Sequence, residues 1–228
     1  MSNIFLEYMS KRISEMNLDD HIVAPGPVIT ISRAAGCIAE QMAINLAHRL
    51  NKLQQTNKWN LISKEILHKT AEKLNIHPKK VELFFKMNNH SLLDGIMLSF
   101  LSKDYQLERK VRNTLISVIH RFGAEGHSII MGRGSSTICS DIENALHVRI
   151  DAPLDWRIKK IMKMKNYNRD DAKTYVIDTE NDRVGFRKAI KRREVKCNEF
   201  DITINKSVFS DNEIIEIIIT ALKMKKII

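Results

Sequence analysis

Residues able to do chemistry fall into three groups along this sequence. The first is Ser32-Arg33-Ala34-Ala35-Gly36-Cys37-Ile38-Ala39-Glu40, set between a β-branched run and an amphipathic segment. A turn so placed can aim backbone N–H groups and a helix N-terminus at an anion. A plain strand-to-helix turn stays open beside that reading. Gly36 is the only glycine in the run, GxxxxGK[ST] is absent, and no lysine is present to reach a terminal phosphate. Glu40 would place a carboxylate on the first helical turn, where it favours the helix and competes with phosphate. Cys37 sits where a helix N-terminus can lower a thiol pKa, but no base neighbours it in sequence, so it reads as a small loop residue.

The second group is Met131-Gly132-Arg133-Gly134-Ser135-Ser136. Gly132 and Gly134 allow close backbone approach, and Arg133 offers a guanidinium suited to bidentate contact with phosphate or carboxylate. The alternative is a glycine-rich turn whose arginine bonds a nearby carbonyl. The third group is basic. Arg157 and the lysines up to Lys165 follow Asp151, and Arg169 to Arg193 continue the run. Arg183 and Arg187 are four apart and share a helix face. A lid closing arginines over a transferring phosphoryl group would carry this pattern, and so would a solvated helix or an RNA-binding face. Few aromatics interrupt the run, which disfavours nucleic acid bound by stacking. His68, His77, His90, His120, His127 and His147 show no HExxH or paired-ligand spacing, so no metal site is expected.

The elements that must position these residues follow from hydrophobic period. Val28-Ile29-Thr30-Ile31 suits a buried strand. Ile38, Met42, Leu46, Leu50 and Leu53 then trace one face of a helix. Short strands are expected at Trp59–Ile62, Ser128–Met131, Ala145–Ile150 and Ile202–Ile204. Helices are expected at Lys64–Leu74, from Tyr105 to a stop at Gly123 and Gly126, from Pro153 in a first turn through Met162, over Asp170–Lys196, and from Asp211 or Asn212 onward. Alternating strands and helices predict an α/β fold, a mostly parallel sheet with helices on both faces, with ligands at the carboxyl edge of the strands. Residues 1–24 read as an N-terminal helical extension and 25–228 as the main domain. Within the latter, 79–104 forms a helical cap and 165–196 a lid.

The 228 residues suffice for one substantial core, and 43% hydrophobic against 28% charged content excludes a fibrous or wholly disordered chain. Lys and Arg number 37 against 27 for Asp and Glu, a net charge of +10 that favours an anionic partner. No secretory signal is recognisable, and no stretch nears the roughly 18 apolar residues of a membrane span. The three dispersed cysteines fit reduced thiols, so a cytoplasmic location is expected. Apolar residues from Lys79 to Leu101, together with the N-terminal helix, point to a homodimer.

Taken together, the run from Val28 to Arg33 with Gly36, the Gly126 to Gly134 stretch, Leu146–Leu154 leading into Arg157 and Ile158, Asp182-Arg183, and Asp201–Asn205 resemble the bacterial cytidylate-kinase-like family. The resemblance covers roughly Pro27 to Leu222, and the Gly-Arg-Gly segment with the following Ala-Pro-Leu is its most specific part. It implies a P-loop kinase-like three-layer sandwich with a helical lid, catalysing ATP-dependent phosphoryl transfer to a nucleoside monophosphate such as CMP, with Mg2+. On that reading Arg133, Arg183 and Arg187 are catalytic. Ser32, Arg33, Gly36, Cys37, Ile38, Ala39, Glu40, Gly132, Gly134 and Arg157 bind nucleotide or phosphate.

The sequence also departs from the family's pattern. Its phosphate loop keeps Gly36 but has Ile38 and Ala39 in glycine positions and Glu40 where the family has arginine. Leu61-Ile62-Ser63 stands where the family begins its acceptor side with Phe-Tyr-Asp. These losses leave two alternatives to an active kinase: a catalytically inactive relative that binds a nucleotide or protein partner, and an RNA-binding protein.

Overall fold

The structure, a computed structural model, describes residues 26–54, 56–63, 105–190 and 199–228. The expected N-terminal extension, the Lys64–Leu74 helix, the cap and residues 191–196 of the lid lie outside the described residues. Elements in chain order are β1 (Val28–Arg33), α1 (Glu40–Leu53), β2 (Asn60–Ile62), α2 (Tyr105–Glu125), β3 (Ser128–Met131) and α3 (Ser135–Ile138). They continue with β4 (Ala145–Asp151), α4 (Leu154–Lys165), α5 (Arg169–Ile190), β5 (Ile202–Asn205) and α6 (Asp211–Met224).

The β-branched run of β1 takes the central place in a sheet ordered β2-β3-β1-β4-β5, with every pairing parallel. Successive side chains of a strand face opposite ways, and β1 is buried on both faces. Ile29 and Ile31 pack with Met42, Leu46 and Leu50 of α1 and with Ile214, Ile218 and Leu222 of α6. Val28 packs instead with Ile119 and Phe122 of α2 and Ile138 of α3. Helix, sheet and helix therefore form three layers, as the sequence implied. Each large side chain fully withdrawn from water contributes about 1.5–3 kcal/mol before entropy is counted. The α6 terminus is fixed by a reciprocal cap, Ser210 N–H to Glu213 Oε2 at 2.8 Å and Glu213 N–H to Ser210 Oγ at 3.4 Å.

Three local expectations are corrected. Gly123 does not stop α2, which runs on to Glu125; a Cβ there would lie 2.8 Å from both Cys139 Sγ and Ile142 Cδ1, so the glycine admits the α3 segment against the helix. Pro153 caps α4 in an extended conformation (φ −53°, ψ 144°) and is not in its first turn. Helix α3, absent from the expected elements, follows directly on the Gly-Arg-Gly turn.

One polar pair bridges β1 and β4 inside this core. Thr30 and His147 are register partners, and Thr30 Oγ1 lies 2.7 Å from His147 Nδ1. Burial holds the His147 pKa below its ordinary 6.5, against the pull of Asp201, with Lys225 lowering it further and Glu199 raising it. The unfolded chain therefore takes up a proton that the native imidazole refuses as pH falls through the unfolded value. This contribution to stability is complete above about pH 6.5 and is lost below it. Urea denaturation should show a lower midpoint at about pH 5.5 than at pH 7.5, with a slope from this group of at most ~1.4 kcal/mol per pH unit. His147→Asn should flatten that slope.

Candidate functional site

All five strands of the parallel sheet end on one side, so β1, β3 and β4 deliver Arg33, Met131 and Asp151 to a common edge. The turn after β3 is unusual: Gly132, Arg133 and Gly134 all have left-handed backbone, with φ of +70°, +58° and +68°. For Arg133 that conformation costs about 1–2 kcal/mol. Steric contacts explain the flanking glycines. A Cβ on Gly132 would collide with Arg33 Nη1, and one on Gly134 would lie 2.6 Å from Ile190 Cδ1 and 3.3 Å from Phe186 Cε1. The turn thus lets an arginine of β1 and the far end of α5 close in on the same point.

A cavity of about 240 Å³ lies there. Arg33, Arg133, Arg183 and Arg187 line it, with Asp182 the one lining carboxylate among the described residues and the buried Ser135 and Ser136 alongside. The crowding registers in Arg33, whose pKa falls to about 10. Burial is the main cause, followed by the positive charges of Arg183 and Arg133, while Glu40 and Glu180 oppose them. Arg183 is lowered as well, first by burial, despite Glu180 beside it. Arg187 is oriented by Glu199 (3.1 Å), which also accepts a hydrogen bond from Thr137 Oγ1 (2.8 Å). Burial and Asp178 raise the Asp182 pKa. Guanidinium groups from three separate chain segments around a small cavity suit one compact, multiply charged oxyanion.

The turn after β1 is arranged differently. The Ala34 N–H donates to Ile150 O (2.9 Å), the Cys37 N–H to Ala34 O (3.0 Å) and the Ala35 N–H to Glu180 Oε1 of α5 (2.6 Å). The Ala35 methyl is buried among Ile158 and Ile161 of α4 and Ala172 and Val176 of α5. Gly36 has φ +89°, and a Cβ there would lie 2.8 Å from Arg157 O. Ala39 caps α1 without a side-chain hydrogen bond, Glu40 is exposed, and Ile38 is 54% exposed. Three amides that could cradle a triphosphate are engaged within the protein, and there is no loop lysine, so these residues as arranged do not fit the phosphates of ATP. Among the described residues no three His, Cys, Asp or Glu side chains converge to hold a metal ion.

The structure brings Ser32, Arg33, Gly132, Arg133, Gly134, Arg183 and Arg187 together at the first cavity. It gathers Gly36, Cys37, Ile38, Ala39 and Glu40 at a second, of about 190 Å³, which Arg33 and Arg183 also line. Arg157 joins neither. Its backbone braces Gly36, its Nε donates to Ala152 O (2.9 Å), and its Nη1 is buried without a hydrogen-bond partner. Burial, reinforced by Asp151, pushes the Cys37 thiol up to about 11, so the lowering a helix N-terminus can bring does not occur and the side chain serves packing, in line with its reading as a small loop residue. The lysines of α4 are exposed, with Lys160 lying 5.0 Å over the Trp156 ring, and Arg169 pairs with Asp155 (2.7 Å) on the surface.

Two residues of the site were missed from sequence. Arg149 of β4 donates to Asp151 Oδ2 (3.0 Å) and lies 3.4 Å from Glu180 Oε2. Glu180 lies 3.4 Å from Arg183 Nη1 as well. An acid three positions before Arg183 within a basic helix, and a lone arginine inside an apolar strand, were the available signals.

Comparison with known proteins agrees with this architecture. Residues 28–208 match the cytidylate kinase-like family, and the chain belongs to that family. Among solved structures, an uncharacterized protein from Eubacterium ventriosum is similar, with a TM-score of 0.59 and 18% identity over 87% of this chain and 98% of that one. A protein from Thermus thermophilus is similar at TM-score 0.45 and 14% identity, over 88% of this chain and 98% of its own. No curated protein matches the chain. The likeness to the Eubacterium protein is one of fold alone.

Gly132→Ala tests the turn geometry. The added methyl must displace the Arg33 guanidinium and adopt left-handed backbone, a cost of about 1–2 kcal/mol from the backbone alone. Thermal unfolding should fall by several degrees, and affinity for inorganic phosphate should drop with it.

Proposed function

We propose that the protein binds the phosphate of a nucleoside monophosphate, such as CMP, in the arginine-lined cavity, as the acceptor in ATP-dependent phosphoryl transfer. The observation that carries this reading is the convergence of Arg33, Arg133, Arg183 and Arg187 on one cavity at the carboxyl edge of a parallel sheet. Phosphoryl transfer depends mainly on positioning and on neutralising charge spread over equatorial oxygens. Arg133, fixed by its strained turn, and Arg187, fixed by Glu199, would hold the acceptor phosphate. Arg33 and Arg183 line both cavities and would meet charge developing between them. ATP with Mg2+ would supply the transferable group only once the loop after β1, whose amides are engaged within the protein here, opens to its phosphates. Family membership supports the nucleotide class, and the surplus of guanidinium over carboxylate supports a dianionic ligand. The protein acts in the cytoplasm, as a homodimer, on a small molecule and not on RNA.

A specific observation favours a second reading, a nucleotide binder without turnover. The Ala35 amide is already bonded to Glu180, and Ile38, Ala39 and Glu40 replace the glycines and arginine of the family's loop. Titration calorimetry with CMP, other nucleoside monophosphates and ATP plus Mg2+, followed by a coupled ADP-release assay, separates the two. CMP binding with ADP release supports transfer; CMP binding alone supports the silent binder; neither binding nor release overturns both. Arg133→Ala should weaken CMP binding at least tenfold while leaving the unfolding midpoint nearly unchanged, because the substitution removes a ligand contact and leaves the apolar core intact.

A further inference from the structure

Glu180 is the carboxylate that the mechanism leaves unused, and its surroundings are those of a bound phosphate. Oε1 accepts the Ala35 N–H at 2.6 Å, from the loop that in this fold faces the phosphates. Arg149 Nη2 of β4 lies 3.4 Å from Oε2, and Arg183 Nη1 lies 3.4 Å from Oε1. One backbone amide and two guanidinium groups around an oxyanion are the donors a phosphoryl group would also select. The carboxylate comes from a helix 145 residues further along the chain than its amide partner. It is not alone in tying that helix down: Arg183 of α5 donates to the Arg33 carbonyl, and Ala35 is gripped between α4 and α5.

We infer that Glu180 is an internal stand-in for phosphate, a latch that holds α5 closed on the loop and must leave before an external polyphosphate can reach the Ala35 amide. This deepens the nucleotide-binding reading above and rests on it for the class of ligand regulated. A tethered carboxylate competes at high effective concentration, so an external anion binds with its affinity reduced by the fraction of molecules in which the latch is open. The arginine cavity is affected differently. Arg187 there is held by Glu199, and Glu180 does not line that cavity, although Arg183, which touches Glu180, does; a monophosphate can enter while the latch stays shut, and the polyphosphate side is the one mainly controlled. Closing and opening are then a competition between two oxyanions for one amide and two arginines.

The test uses the full chain and inorganic tripolyphosphate, which carries no nucleoside. Glu180→Gln keeps shape and acceptor but removes the charge; Glu180→Ala removes the group and serves if either variant folds poorly. Both should bind tripolyphosphate at least tenfold more tightly than the wild type, with a clearly smaller gain for CMP, whose cavity shares Arg183 but not the Ala35 amide. Asp178→Asn, which removes a carboxylate from the same helix without touching the loop, controls for the general change in charge and should shift tripolyphosphate affinity less than threefold. Wild-type tripolyphosphate affinity in a folded Glu180 variant, or an equal gain in Asp178→Asn, would overturn the latch. The outcome is read from tripolyphosphate alone, so loss of the CMP reading, seen as no CMP binding by the wild type, leaves a distinct signature.

Discussion

Four guanidinium groups brought to one end of a sheet repel one another, and much of this molecule is organised around containing that repulsion. Arg33 registers it: its pKa is down to about 10, through burial first and then through the charges of Arg183 and Arg133. Containment is achieved locally. Glu199 holds Arg187, Glu180 lies between Arg149 and Arg183, and the Arg33 carbonyl accepts from Arg183. What remains is an edge with more positive charge than the acids beside it offset. In the low dielectric of a half-enclosed cavity, an arriving oxyanion gains more from such a cluster than it would in open water.

The backbone makes the approach possible. Of the three consecutive left-handed residues the glycines are at ease and Arg133 carries the strain, which is tolerated where the surrounding structure fixes it. Here β3 leads in, the Ser135 N–H closes onto Gly132 O (3.1 Å), and α3 begins at once. Without this tight turn, Phe186 and Ile190 of α5 could not lie against Gly134, and Arg183 and Arg187 would be held away from Arg33. Strain in the turn and charge density in the cavity therefore have one origin.

The sheet and its flanking helices were legible because their apolar residues have a clear period. The β-branched run of β1 and the four-residue spacing of Met42, Leu46 and Leu50 have no competing interpretation. Arg33, Arg133, Arg183 and Arg187 were also legible, since each sits at a strand end, between glycines, or on a shared helix face. Gly123 was misread because a glycine inside a helix signals an end unless a neighbour packs against it, and Cys139 and Ile142 are remote in sequence from any visible cue. Glu180 was invisible for a related reason. In a helix of mixed charge, an acid three residues before an arginine usually marks a solvated pair, and nothing in the chain reveals that its second partner is an amide of the loop after β1. The thiol of Cys37 depended equally on burial, which overrides the helix terminus.

The loop after β1 is held closed by apolar packing as well as by polar contacts. Here Ala35 gives the loop a methyl group, and that methyl is enclosed by Ile158, Ile161, Ala172 and Val176. Its burial favours the closed arrangement whether or not an anion is present. Gly36 must then remain glycine, because the loop now presses on the Arg157 backbone. Once closed, the amide of Ala35 needs an acceptor, since an unpaired buried donor costs about 1–3 kcal/mol, and the nearest oxyanion is the one α5 carries. Apolar packing at Ala35 and the polar contact at Glu180 thus support each other, and together they hold the loop after β1 against the protein's own interior.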